Sequence, residues 1–201
     1  MKPPWVANYT NLGLAYHKSG KYREEKNLYK KAEQYFPDDP FLIYRQAIIS
    51  LTEGDSVTAN RYIKNYIYLC KEGLASEAAI ATNLAFIYSE SDNLDKAEEY
   101  FREALTLEPE RSVRISNLAL FLIEKDRNIN EGMVLIEKAL VLSPDNYLYL
   151  DTKGWGLYKQ GKYREALEIL EKSWELKPIY DHDLFLHFEA AKKAVASQNN
   201  N

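Results

Sequence analysis

Three histidines, one cysteine and a glycine-flanked lysine are the residues of this chain whose types could do chemistry, and none has the company that chemistry needs. His17, His182 and His187 lack a cysteine or a second histidine at ligand spacing: His182 and His187 are five positions apart, not the four that place two imidazoles on one helix face. Cys70 has no second cysteine and no base visible beside it, which excludes an intramolecular disulfide and leaves stability to packing. Gly156-Leu157-Tyr158-Lys159-Gln160-Gly161-Lys162 has the spacing of a phosphate-binding loop up to its lysine. Tyr163 then stands where a hydroxyl must reach magnesium, and the segment reads as a helix end followed by a turn. Asn8-Tyr9-Thr10 has the form of a glycosylation acceptor, but it opens a helix in a chain with no secretion signal. Acidic pairs such as Glu98-Glu99 read as solvated helix faces. The residues predict no catalytic site, no metal and no cofactor.

The composition points to binding. A chain of 201 residues with 46% hydrophobic content has the material for one soluble domain with a continuous core. Its net charge of −4, with no basic block, argues against a nucleic-acid partner. The apolar run from Leu118 to Ile123 is too short to span a bilayer, so no membrane insertion is expected. Met1-Lys2-Pro3-Pro4 opens no signal-like segment, and the location is read as cytoplasmic by default. The periodic pattern starts within a few residues of Met1 without a polar helix before it, which leaves room for an upstream segment carrying its own address.

The elements that position these residues repeat. NLGLAYHKSGKY from Asn11, NLAFIYSESDNL from Asn83, NLALFLIEKDRNI from Asn117 and TKGWGLYKQGKY from Thr152 are near-copies, each followed by a helical stretch and then Pro37, Pro109, Pro144 or Pro178. Within the first copy, Tyr9, Leu12 and Tyr16 mark one helical face, Ser19-Gly20-Lys21 breaks it, and a second helix carries Leu28, Tyr29 and Ala32 inward. Gly13 and Ala32 suit a close antiparallel crossing. A degenerate copy lies between Asp39 and Leu74, with Ile43, Ala47, Gly54, Ala59 and Ile63 in phase but Lys71 in place of the proline. Glu25, Tyr66 and Lys153 depart from the pattern, and one extra residue in the Asp126 to Asn130 turn does too, so local looseness is expected there. Four extra residues before the third repeat, the one that carries Asn83, are expected to lengthen the Lys71 to Ser76 connection. After Pro178, the stripe Leu184, Phe188, Ala191 and Val195, with Glu189, Lys192 and Lys193 off it, reads as a capping helix.

The recurrent pattern of Leu-Gly/Ala, Tyr, Ala, Phe, Ala and Pro over residues 6–180 resembles the tetratricopeptide repeat family. The resemblance implies an all-α fold: an α-solenoid, wound as a right-handed superhelix, of five helical hairpins at about 6–39, 40–73, 78–111, 112–146 and 147–180. A capping helix at about 181–196 completes a single domain, and 197–201 form a disordered tail. It further implies a non-enzymatic module that binds a protein or peptide in a concave groove lined by the first helix of each repeat. Carried over residue by residue, that groove holds Tyr44, Ile48, Leu51, Asn83, Phe86, Asn117, Leu120, Ile123, Asp151, Trp155 and Tyr158. The lining is mostly apolar and aromatic, so salt-tolerant binding is expected, with Tyr44, Trp155 and Tyr158 as anchors. Asn11, Asn83 and Asn117 recur without the surrounding cations that a carboxylate clamp requires. The alternative is a regulatory or self-assembly domain that stacks on itself or on an upstream domain through its first repeat.

Overall fold

The computed structural model describes residues 5–199, which are all-helical, with no strand among the described residues. The helices are α1 (Val6–Lys18), α2 (Tyr22–Glu33), α3 (Pro40–Thr52), α4 (Ser56–Glu72), α5 (Glu77–Glu90), α6 (Leu94–Leu107), α7 (Ser112–Glu124), α8 (Ile129–Leu142), α9 (Tyr147–Lys159), α10 (Tyr163–Leu176) and α11 (His182–Asn199). They pair as five hairpins and a final helix, at the positions that the sequence period predicts. The chain packs as two compact units, Met1–Ala104 and Leu105–Asn201, each described by itself below. Ser197 to Asn199, expected in a disordered tail, belong to α11, because the helical pattern of its alanines continues past Val195. Residues 200 and 201 lie outside the described residues.

Each hairpin closes on a left-handed residue. Gly20, Gly54, Asp92, Asp126 and Gly161 occupy equivalent turn positions with φ of 68°, 77°, 61°, 53° and 78°. The residue after each sends its N–H back to a carbonyl of the preceding helix: Lys21 to Tyr16, Asp55 to Ser50, Asn93 to Tyr88, Arg127 to Leu122 and Lys162 to Leu157. These bonds satisfy carbonyls that the helix end would otherwise orphan. The extra residue of the fourth turn causes no looseness: Leu122 O accepts from both Arg127 and Asn128, and Asn128 Oδ1 then caps α8 by accepting from Glu131 N at 3.2 Å.

Packing follows the small residues. A Cβ built on Gly13 would lie 2.1 Å from Tyr29 Oη, and one on Gly154 would lie 2.6 Å from Leu170 Cγ, so both are sites of close helix approach. In the first unit Tyr9, Tyr29, Ala32, Leu42 and Ile49 form one buried cluster. In the second unit a larger cluster joins Ala119, Ile123, Ile136, Ala139, Ala166 and Leu170 to Leu184 and Ala191 of α11, which therefore packs as the cap that its stripe predicts.

The off-pattern residues are packed rather than loose. Glu25 is fully buried, with His17 Nδ1 at 2.8 Å from its Oε2 and Arg45 Nη2 at 3.6 Å from its Oε1. Burial pushes the Glu25 carboxyl up, and the His17 hydrogen bond and Arg45 charge oppose that. Tyr66 is buried against Tyr44, ring centroids 5.8 Å apart, and Lys153 reaches Glu137 at 3.4 Å. The four extra residues mostly extend a helix rather than a loop: α4 runs 17 residues where α2 has 12 and α10 has 14.

That extension ends on a strained residue. Leu74 follows α4 with φ of 59° and is 91% exposed, so its side chain gains almost nothing from burial to offset the strain. Leu74→Gly relieves about 1–2 kcal/mol of left-handed strain against about 0.5–1 kcal/mol of added chain entropy. Urea unfolding should show the variant equal to or up to about 1.5 kcal/mol more stable than the wild type. A clear loss of stability would contradict this account of the turn.

Candidate functional site

In the first unit, Pro40, Phe41, Tyr44, Tyr66 and Asn83 line a recess of about 380 Å³. Its polar edge is already committed. The Tyr44 hydroxyl donates to Glu90 Oε1 at 2.8 Å, and Arg45 Nη1 donates to Glu90 Oε2 at 2.5 Å. Burial and the Glu90 carboxylate both push the Tyr44 hydroxyl far above its usual range, so it stays a donor. Phe86 stands edge-on to Phe101, centroids 5.2 Å apart, and Leu51 is half-buried.

The second unit holds a larger cleft of about 540 Å³. α7 supplies Val113, Ser116, Asn117, Leu120 and Glu124. α9 and its cap supply Asn146, Leu148, Tyr149, Asp151 and Thr152, and α11 with its cap supplies Asp181, Asp183, Leu186 and His187. Local structure fixes these positions. Asn146 Oδ1 accepts from Leu148 N and Tyr149 N to start α9, and Asp181 Oδ1 accepts from Asp183 N and Leu184 N to start α11. The Tyr149 hydroxyl donates to Ser112 Oγ at 3.3 Å, tying α9 to α7.

The floor of this cleft is one imidazole. His187 Nδ1 lies 2.9 Å from Asp151 Oδ1 and Nε2 lies 3.4 Å from Glu124 Oε1, so one ring bridges three helices. Burial works against a charged imidazole, but the hydrogen bonds to Asp151 and Glu124 outweigh it and raise His187 to about 9. Asp151 is pushed up by its own burial, which the His187 hydrogen bond only partly offsets. Trp155 stacks on His187 at 4.2 Å and on Tyr158 at 4.7 Å, with its indole N–H buried and unpaired. Lys159 pairs with Asp126 at 2.7 Å and donates to the Glu124 carbonyl at 3.2 Å.

Of the residues assigned to a groove from sequence, Asn117, Leu120 and Asp151 line the second unit's cleft, and Tyr44 and Asn83 line the first unit's recess. Ile48 and Ile123 are corrections. Both have 0% exposure and are core, because the helix face carrying them turns into its own unit. Trp155 and Tyr158 stand behind the imidazole rather than among the lining residues. Sequence reasoning missed Glu124, Asp181, Asp183 and His187. His187 next to the Leu184–Phe188 stripe was the available signal, but its partners come from helices distant in sequence. The cleft is also more polar than expected, with four carboxylates, one imidazole and no lysine or arginine in its lining.

Elsewhere, Gly156 lies inside α9 with a Cβ that would sit 2.3 Å from Met133 Sδ, and Lys162 caps α10, so the loop-like spacing belongs to a hairpin turn. Among the described residues no group of His, Cys, Asp or Glu is arranged to hold a metal ion, and no helix is long and apolar enough to cross a membrane.

Residues 6–39 and 78–111 each match the tetratricopeptide repeat family model, so the chain carries tetratricopeptide repeats. It is similar to a TPR repeat-containing protein of Pseudomonas aeruginosa, 26% identical over 176 residues, covering 85% of this chain and 28% of that one. The chain spans between 15% and 28% of the length of the curated relatives it matches. Among solved structures, a thermophilic TPR protein of Thermus thermophilus aligns with a TM-score of 0.57 at 19% identity, over 92% of this chain and 98% of its own. The first TPR of Spaghetti, solved bound to an HSP90 peptide, aligns with a TM-score of 0.53 at 17% identity, over 60% of this chain and 94% of its own.

The His187 bridge has a pH signature. Its pKa lies above the ordinary 6.5, so its contribution is fully present below about 6.5 and is lost as pH rises through about 9. The buried Asp151 reduces the net gain, leaving an effect on the order of 1–2 kcal/mol. The stability difference between wild type and His187→Gln, measured by urea unfolding, should be largest near pH 6, fall as pH rises from about 6.5, and be nearly gone above about pH 9. A difference independent of pH would contradict a charged bridge.

Proposed function

We propose that this chain is a non-enzymatic protein-interaction module that seats a segment of a partner polypeptide in the cleft between α7, α9 and α11. The observation that carries the reading is the exposed apolar wall of that cleft: Leu148 is 48% exposed, Leu186 50% and Val113 40%, in a recess large enough for several side chains. Apolar side chains gathered in a concave site recover transfer free energy only when something covers them. The peptide carried by the Spaghetti neighbour supports the coarse reading, that hairpins of this kind hold a peptide. That peptide, SRMEEVD, has three acidic residues among its last four, whereas the cleft here is itself acidic, so the guest differs in chemistry. The committed hydroxyl of Tyr44 and the smaller recess make the first unit the weaker candidate.

A random displayed peptide library selected against the full chain tests this. Selected peptides should bind the Leu120→Ala/Leu148→Ala variant about 2 kcal/mol more weakly, roughly thirtyfold, in fluorescence polarisation, with its thermal unfolding still cooperative. Selected peptides that all keep their wild-type affinity for that variant would place binding elsewhere and overturn the reading.

A further inference from the structure

We infer that the second unit's cleft selects a lysine- or arginine-bearing segment. This rests on the reading that the cleft seats a polypeptide, and it names the chemistry of that polypeptide. Two separate features of the lining point to the same guest. The first is charge. Glu124, Asp151, Asp181 and Asp183 face the cleft against a single imidazole, His187, and that imidazole is spent on Asp151 and Glu124. Lys159, at the end of α9, is held by Asp126 and a carbonyl. Among the described residues, Asp181 and Asp183, at the start of α11, therefore have no lysine or arginine beside them in the lining of the cleft.

The second feature is the apolar wall. Leu148 and Leu186 stand half-exposed in the same recess as those carboxylates. An acidic side chain would meet like charge there, and a purely apolar one would leave the carboxylates facing low-dielectric surface. Lysine and arginine have an alkyl stem that covers apolar surface and a cationic head that reaches past it to a carboxylate. Arginine adds a planar fork that suits paired carboxylate oxygens. Such a guest binds more weakly as salt rises, where the sequence alone led to an expectation of salt tolerance.

The test uses the full chain and fluorescein-labelled peptides that alternate leucine with serine and differ only in a central pair of lysines, norleucines or glutamates. The lysine peptide should bind roughly tenfold or more tightly than the norleucine peptide, with the glutamate peptide weakest. Asp181→Asn/Asp183→Asn should remove that preference; asparagine at 181 still caps α11, so the fold is kept. Equal binding of the lysine and norleucine peptides to the wild type, unchanged in the Asn variant, overturns the charge assignment and leaves the groove reading in place. Binding of the lysine peptide that is unaffected by Leu120→Ala/Leu148→Ala overturns the groove reading and this inference together.

Discussion

The second unit depends on one partly buried imidazole. His187 joins α11 to α9 through Asp151 and to α7 through Glu124, and Trp155 closes the stack from behind. Leu184 and Ala191 alone would bury α11 against the core formed with Ala166 and Leu170. That contact is apolar and non-directional, and it does not fix which side of the helix faces α7. A bridged ring does, since removing either carboxylate leaves a charge buried without its partner. The capping helix thereby becomes a wall of the cleft as well as a cover for the last hairpin.

Division of labour among the helices follows from that bridge. α7 and α9 contribute mainly neutral and apolar surface through Val113, Asn117, Leu120 and Leu148, while the start of α11 contributes Asp181 and Asp183. Asp181 serves two purposes at once: one carboxylate oxygen satisfies helix N–H groups, and the residue as a whole holds negative charge at the cleft rim. The first unit solves its polar burial differently. Its His17, Glu25, Arg45 and Glu90 form a chain of hydrogen bonds and charged contacts through the packing of successive hairpins, which gives Glu25 partners at a crossing where the repeat pattern asks for a small side chain.

Hairpin positions were legible in the sequence because they depend on local signals. Gly20, Gly54 and Gly161 announce left-handed turns, Gly13 and Ala32 announce close crossings, and the prolines announce the ends. Asp92 and Asp126 play the same role as the turn glycines and were found only through their phase in the repeat. The site was less legible. Leu120, Asn117 and Asp151 were found by their register on first helices, whereas Ile48 and Ile123 share nearly the same register and are buried. Helical phase tells which face a residue occupies to within a fraction of a turn, and that fraction separates wall from core. The contribution of α11 was invisible, because pairing His187 with Asp151 requires knowing how a helix 36 residues away folds back. Glu25 and Tyr66 were misjudged as loose points for the same reason: their partners are tertiary.

The proposed guest polypeptide lies against α7, α9 and α11 of the second unit. Methyl NMR of the full chain, titrated with the lysine-bearing peptide, tests it most directly. Shifts should converge on the methyls of Val113, Leu120, Leu148 and Leu186, with those of Ile43 and Leu51 in the first unit unmoved. Shifts centred on the first unit, or scattered over exposed methyls such as Val57 and Val141 with the four cleft residues silent, would contradict it.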